Sequence, residues 1–516
     1  MKLDRKKNSA RNIFFGFINK FVTILFPFIL RTILIHTMGE QYLGLSSLFT
    51  SILQVLSLSE LGIGSAMVFE LYKPIAENDY KKICQLQKIY KFIYKIIGTV
   101  ILTLGICVLP FLKFFIKGGY PEDVNIYVLY ILYLINTSAS YLLFSYKSTL
   151  LTAYQRRDIV SNIGTIIHLI LYIIQMVMLI LFHNYYAYVV WIPIFTILEN
   201  FITAIYVNKL YSKLKPEGRI EKRQVKEIFI KVRDLFGHKL SSVVTNSVDT
   251  IVISSFLGLS MVTIYNNYYY ILSAVSGILD IVYQGILAGI GNSIASETKE
   301  KNHKDFNRLF FINAWIVGWC SICFLCLYQP MMKIWMGKKL MLETSSIILL
   351  AIYFYVWKIR QTILIYKDAT GMWNIDKIKP YVEIIVNLTL NIILVQIIGI
   401  NGIIISTIVS MLVVSLPWET GAFFKNYFFD KTNKYYSKLV FYTFITIFNG
   451  IITFYICSFI NINDKLNFIC KAIVCIIIPN IFYLFIYRKD ENLYWVKNTI
   501  KGLIKERNNL SKKTQL

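Results

Sequence analysis

No interval between apolar runs is long enough to fold as a soluble domain; the longest is 209–235. No catalytic or ATPase module is expected between the runs, and no GxxxxGK[ST] phosphate loop occurs. Gly62-Ile63-Gly64 and Gly289-Ile290-Gly291 lie inside apolar runs and are not dinucleotide fingerprints. Histidine is scarce, with 5 residues, and the 8 cysteines are scattered, so no disulfide framework is implied. Cys320, Cys323 and Cys326 recur at helical spacing within an apolar run, with no His or acid beside them, and read as small core residues rather than metal ligands. No metal and no cofactor is expected. Acids are in deficit, 29 against 54 Lys and Arg, which leaves a net charge of +25. In a soluble chain that balance would point to nucleic acid. In a chain that is 56% hydrophobic, basic loops that fix orientation in a bilayer explain it, and no nucleic-acid partner is expected. The intervals also lack a nucleophile, a metal cluster or a paired acid, so transport is expected rather than catalysis.

What the sequence does have is apolar runs of membrane length, recurring to its end, at a mean hydropathy of +0.56. The reading is an all-α integral membrane protein with about fourteen transmembrane helices: 12–36, 42–69, 92–116, 124–146, 161–183, 186–208, 236–257, 261–294, 309–329, 345–366, 381–398, 402–424, 438–460 and 466–487. The basic start, Lys2 to Arg11, precedes a run too long for a signal peptide and without a small-residue cleavage site, so it is kept as the first span. Of the 54 Lys and Arg, 41 fall in alternate connecting segments and only 5 in the others. By the positive-inside rule both termini and the loop 209–235 are expected to be cytoplasmic.

A few charges lie inside the spans. Lys20 and Arg31 are eleven residues apart, so they share a helical face about 16 Å apart along the axis. Gly16, Thr23 and Pro27 complete that stripe. A cation at membrane depth is costly and faces a protein interior or a water-filled cavity. The seventh span carries a second polar stripe, His238, Ser242, Asn246 and Asp249, flanked by Lys239. Lys20, Arg31, Lys239, Lys358 and Arg360 are the candidate substrate-binding residues; for Lys358 and Arg360 the alternative is a side chain reaching to the interface. Glu60, Glu199, Asp249 and Asp280 fit either ion coupling, to H+ or Na+, or structural pairing between helices. Lys95, Lys113, Lys471, Glu383 and Glu419 lie near span ends and are expected to reach the interface. His168 and His238 read as packed or interfacial rather than as proton carriers.

A weak repeat is also present. Span one ends in Met38-Gly39 and span seven in Leu257-Gly258, and both following spans end in Gly-Ile-Gly. Such repeats are common in transporters, whose substrate site lies between the halves; glycine-rich spans are equally ordinary packing surfaces.

Several segments carry a resemblance. Gly39-Glu40-Gln41-Tyr42-Leu43-Gly44-Leu45, Leu58-Ser59-Glu60-Leu61-Gly62-Ile63-Gly64 and Leu71-Tyr72-Lys73-Pro74 resemble polysaccharide flippases of Gram-positive bacteria, within the multidrug, oligosaccharidyl-lipid and polysaccharide exporter superfamily. So do Val248-Asp249-Thr250-Ile251-Val252-Ile253-Ser254, Ile264-Tyr265-Asn266-Asn267-Tyr268 and Gly399-Ile400-Asn401-Gly402-Ile403 with Thr407. The resemblance implies two six-helix lobes around a central cavity, with two further C-terminal helices. The expected boundaries are 1–210 for the N-terminal lobe, 211–235 for a cytoplasmic linker, 236–424 for the C-terminal lobe, 425–487 for the last two spans and 488–516 for a basic tail. It further implies flipping of undecaprenyl-pyrophosphate-linked oligosaccharide repeat units across the bacterial cytoplasmic membrane for capsule or exopolysaccharide assembly, with membrane lipids and a polysaccharide polymerase as partners. The family's cationic cavity suits a pyrophosphate head, and Lys20 and Arg31 are the residues that take that role. Three alternatives stand beside it: a peptidoglycan-precursor lipid flippase, an ion-coupled multidrug exporter, and, in a different class, a membrane glycan polymerase or glycosyltransferase.

Overall fold

A computed structural model describes residues 5–57, 63–218, 240, 243, 247–372, 374–499 and 501–502. Every extended regular element among them is helical. Eleven helical stretches are long and apolar enough to cross a membrane; α5 (Ile126–Leu142) and α6 (Tyr146–Ala153), bent by 50°, make a twelfth if counted as one broken span. These coincide with twelve of the fourteen expected spans. The other two, 42–69 and 236–257, run through residues outside the described ones.

The helices start and stop where local chemistry dictates. Asp79 caps α4 (Tyr80–Val108) by accepting from the Lys82 amide at 2.9 Å, and Asn125 caps α5 by accepting from the amides of Tyr127 and Val128. Both satisfy amide groups that a helix N-terminus leaves open. Gly39 joins α1 (Arg5–Thr37) to α2 (Glu40–Leu56), and Gly258 joins α10 (Ser247–Leu257) to α11 (Leu259–Ser296). Their φ angles are +106° and +89°, a region glycine enters at little cost. The Gly39/Gly258 pair seen as a sequence repeat is therefore a pair of equivalent helix-to-helix turns.

The chain forms two compact units, Met1–Tyr269 with Lys377–Ser406, and Tyr270–Asp376 with Thr407–Leu516. In the first, α1 packs along α7 (Arg157–Phe182), α4 along α5, and both α5 and α7 pack on α9 (Trp191–Leu210). Asn19 of α1 donates to Thr165 Oγ1 and to the Ser161 carbonyl, at 3.0 and 3.3 Å, which sets the register of α1 on α7. A Cβ at Gly44 would collide with the Leu259 carbonyl, so glycine lets α2 meet the start of α11 backbone to backbone. α15 (Lys379–Ile398) also belongs to this unit.

In the second unit α12 (Lys299–Trp335) is central, packed against α13 (Thr344–Ile359), α18 (Asn433–Ser458) and α19 (Asp464–Ile486). Trp315 Nε1 donates to Asn480 Oδ1 at 2.8 Å, and Asn449 Nδ2 donates to the Pro479 carbonyl at 3.1 Å, tying the last two helices in. Phe306, Phe310, Phe424 and Tyr435 form an aromatic cluster beside them. The outward faces of α18 and α19 are apolar: Phe444 is 67% exposed and Ile481 59%. Water would exclude such a surface, whereas a bilayer accepts it.

Candidate functional site

The first unit encloses a cavity of about 380 Å3 at the crossing of α1, α2, α5, α7 and α9. Arg31 and Pro27 enter it from α1, Asn136 from α5, His168 and Gln175 from α7, and Thr196 and Glu199 from α9. The Arg31 guanidinium donates to Asn267 Oδ1 at 3.2 Å. His168 Nε2 lies 3.5 Å from Glu199 Oε2. Thr196 donates to Asn136 Oδ1 at 2.7 Å, and Gln175 donates to the Tyr188 carbonyl at 3.2 Å. Gly164 makes room for the acid, since a Cβ there would lie 3.1 Å from Glu199 Oε1. The result is a polar chamber, within membrane-length helices, that holds a fixed cation, a carboxylate and an imidazole. It can grip an anionic group at Arg31 and exchange a proton or small cation at Glu199 and His168.

The structure divides the residues singled out in the sequence into three groups. Arg31, Glu199 and His168 meet in this cavity. Lys20 does not line it; its side chain is exposed, and its neighbour Asn19 is the one facing α7. The stripe that Lys20 shares with Arg31 is thus split between two environments.

The second group is ion-paired. Arg360 donates through Nε and Nη2 to both oxygens of Glu419, at 3.0 and 2.7 Å, with both side chains buried. Lys358 is buried and lies 2.8 Å from Asp280 Oδ1, and Asp280 keeps 41% of its side chain exposed. Lys379 pairs with Glu383 at 3.1 Å one helical turn away. Glu383 and Glu419 are therefore buried rather than reaching the interface, because at membrane depth a partnered carboxylate avoids the cost of standing alone. Sequence reasoning missed Lys367 with Asp376, another buried pair. Asp249 is also buried and accepts from Asn391 Nδ2 at 2.7 Å. Glu60 and Lys239, with His238, Ser242 and Asn246, lie outside the described residues.

The Asp249 contact separates charge from hydrogen bonding. Asp249→Asn keeps an acceptor for Asn391, so the melting temperature should stay near that of the parent. Asp249→Leu leaves the Asn391 amide without that acceptor and should cost about 1–3 kcal/mol. Equal melting curves for the two variants in detergent would remove the structural role of the contact.

For some members of the cavity a signal was present in the sequence. His168 and Gln175 are seven residues apart on α7, and Thr196 and Glu199 three apart on α9, so each pair shares a face.

Solved structures confirm the architecture. The lipid II flippase MurJ in an inward closed conformation superposes with a TM-score of 0.63 at 15% identity, covering 93% of this chain and 99% of that one. An inward-facing multidrug resistance MATE family transporter of the MOP superfamily gives 0.59 at 14% identity, covering 77% and 93%. A MOP superfamily transporter from Pyrococcus furiosus, described as having a binding pocket of reversed polarity, gives 0.55 at 15%, covering 81% and 95%. No curated protein matches the sequence. The fold and the membrane-length helices thus define a multi-pass membrane protein with the architecture of the MOP superfamily transporters and flippases. More particularly, the chain belongs to the polysaccharide biosynthesis protein family, whose sequence profile matches residues 9–287, more than half its length.

Proposed function

We propose that this protein flips undecaprenyl-pyrophosphate-linked oligosaccharide repeat units from the inner to the outer leaflet of the cytoplasmic membrane, by alternating access, for capsule or exopolysaccharide assembly. The observation that carries the reading is Arg31: a guanidinium lining a polar cavity, inside the stretch matched by a polysaccharide biosynthesis family. A planar guanidinium grips phosphate oxygens at two points, which suits the only strongly anionic part of such a lipid. Glu199 and His168 are proposed as the residues that couple transport to H+ or Na+. Lys358 and Arg360 keep their acids company in the second unit, and their proposed role shifts from substrate contact to holding helices together. Lys20 and Lys239 remain proposed substrate contacts, with Lys20 on an exposed side chain suited to meeting a headgroup. A polymerase partner is proposed to take up the flipped unit.

Deleting the gene should remove surface polymer and leave lipid-linked repeat units accumulated on the inner leaflet, measured by mass spectrometry of extracted lipids. The likeness to MurJ favours peptidoglycan precursor as the second reading. Under that reading the deletion would instead accumulate lipid II and spare the other surface polymers. Unchanged levels of both lipids would contradict the two together.

The orientation is proposed from the charge split between alternate segments. Ser212 is exposed in the basic loop, and Lys338 is exposed on the opposite set of loops. With Cys84 and Cys107 replaced by Ser, an impermeant maleimide applied to intact cells should label Lys338→Cys and leave Ser212→Cys at the level of the parent. The reverse pattern would invert the topology.

A further inference from the structure

Three thiols from three helices converge in the second unit, with a fourth one helical turn away. Cys323 and Cys326 come from α12, Cys457 from the last turn of α18, and Cys475 from the middle of α19. The Sγ atoms of Cys326, Cys457 and Cys475 all lie within 4.8 Å of one another. Cys323 sits one helical turn before Cys326 on the same face of α12. Cys326, Cys457 and Cys475 are buried, at 4%, 2% and 0% exposure. The triplet at 320, 323 and 326 did not reveal this, because Cys457 and Cys475 lie far along the sequence. Cys320 is not among the converging thiols.

We propose that Cys326, Cys457 and Cys475, with Cys323 as fourth ligand, form a binding site for a soft d10 metal ion, Zn2+ or Cu+.

Geometry supports this. A tetrahedral zinc–thiolate centre with Zn–S near 2.3 Å places sulfurs about 3.8 Å apart. The three mutual distances need contract by only about 1 Å to reach that spacing, a change within side-chain rotation. A disulfide would use two thiols and leave the others idle, whereas a metal uses all of them. Packing alone does not call for three sulfurs at one point, since any small apolar residue fills such a space. Thiolate ligands select soft ions over Mg2+ or Ca2+.

The surroundings suit an anionic centre. Three or four thiolates around Zn2+ carry a net charge of −1 or −2, which is costly away from water. Lys471, one turn before Cys475 on the same face of α19, supplies a cation that offsets that charge. Trp319 Nε1 donates to the Cys475 carbonyl at 2.8 Å and fixes α19 against α12. On binding, each thiol gives its proton to solvent as its metal–sulfur bond forms, with no change of oxidation state. Occupancy therefore falls as pH drops. The site staples α18 and α19 to α12, so the two last helices need not rely on apolar packing alone.

The test uses the full chain purified in detergent under reducing conditions without chelator, then loaded with ZnCl2 or with Cu+ and desalted. Elemental analysis should find about one Zn or Cu per chain, and the metal found assigns the ion. Cys475→Ser should retain less than a tenth of it, whereas Cys84→Ser should retain it all. Should Cys475→Ser fail to fold, alkylation of the parent protein decides: metal should shield four of the eight thiols, and a chelator should expose them. Three results each overturn the proposal. These are substoichiometric metal in the loaded parent, equal metal in folded Cys475→Ser, and a disulfide among these four cysteines in protein isolated without reductant.

Discussion

Arg31→Ala should abolish surface polymer in a deletion strain while the protein accumulates in the membrane at its normal level. The guanidinium stands in the polar cavity of the first unit, fixed by Asn267, with Glu199 and His168 on the facing walls. A hydrogen bond to a charged group is worth about 1.5–3 kcal/mol, and in a site shielded from water the electrostatic part is larger still. Loss of one such contact to pyrophosphate corresponds to about a 10- to 100-fold loss of affinity. Arg31→Lys keeps the charge but not the two-point geometry, so it should restore part of the polymer. Lys20→Ala should have the smaller effect, because Lys20 does not line the cavity. Adding it to Arg31→Ala should change little. Full complementation by the double variant at normal expression would remove span one from substrate recognition. Loss of the protein from the membrane would show that Arg31 holds helices together instead.

The second large effect concerns stability. Arg360→Ala leaves Glu419 buried without the guanidinium that binds both its oxygens. Removing one partner of a buried pair typically costs about 3–5 kcal/mol, since the remaining charge stays in a low dielectric. Thermal unfolding in detergent should show a strongly lowered transition, and membrane levels should fall with it. Arg360→Met combined with Glu419→Leu removes both charges and keeps apolar volume, and should recover most of the stability. It should also retain flipping, because the proposed roles of Arg31 and Glu199 lie elsewhere. A stable Arg360→Ala protein would mean that water or another cation already serves Glu419. Glu419 sits on α17 (Leu416–Phe423), between π-helical turns at Met411–Ser415 and Phe424–Phe428. Such turns interrupt the regular i to i−4 ladder and re-aim side chains, and they supply the local geometry in which the pair is buried.

The spans were the most legible feature of the sequence, because a bilayer demands about 20 apolar residues at each crossing. The helical turns at Gly39 and Gly258 were legible too, through the residue type that positive φ favours. Charges inside spans were visible as costly, but their fates were not. The sequence placed Lys20 and Arg31 on one face, yet only Arg31 lines the cavity, because a shared stripe does not fix which neighbours cover each turn. Arg360 and Glu419 are fifty-nine residues apart, and Cys326 and Cys475 far more, so no local pattern joins them. Glu383 was placed at the interface by its nearness to a span end, whereas Lys379 one turn away makes burial affordable. Asn136, Gln175 and Asn267 were passed over because an uncharged polar residue in an apolar run carries a weak signal. Together these residues make the difference between an apolar pocket and a polar one.

The most direct measurement is flipping itself. The purified chain, reconstituted in vesicles, is supplied with undecaprenyl-pyrophosphate-linked oligosaccharide in one leaflet, and the appearance of sugar in the other leaflet is followed with a sugar-cleaving enzyme that cannot cross the membrane. The account predicts transfer by the parent protein and by Lys20→Ala, and little or none by Arg31→Ala. Transfer no faster than in protein-free vesicles, or transfer untouched by Arg31→Ala, would contradict it.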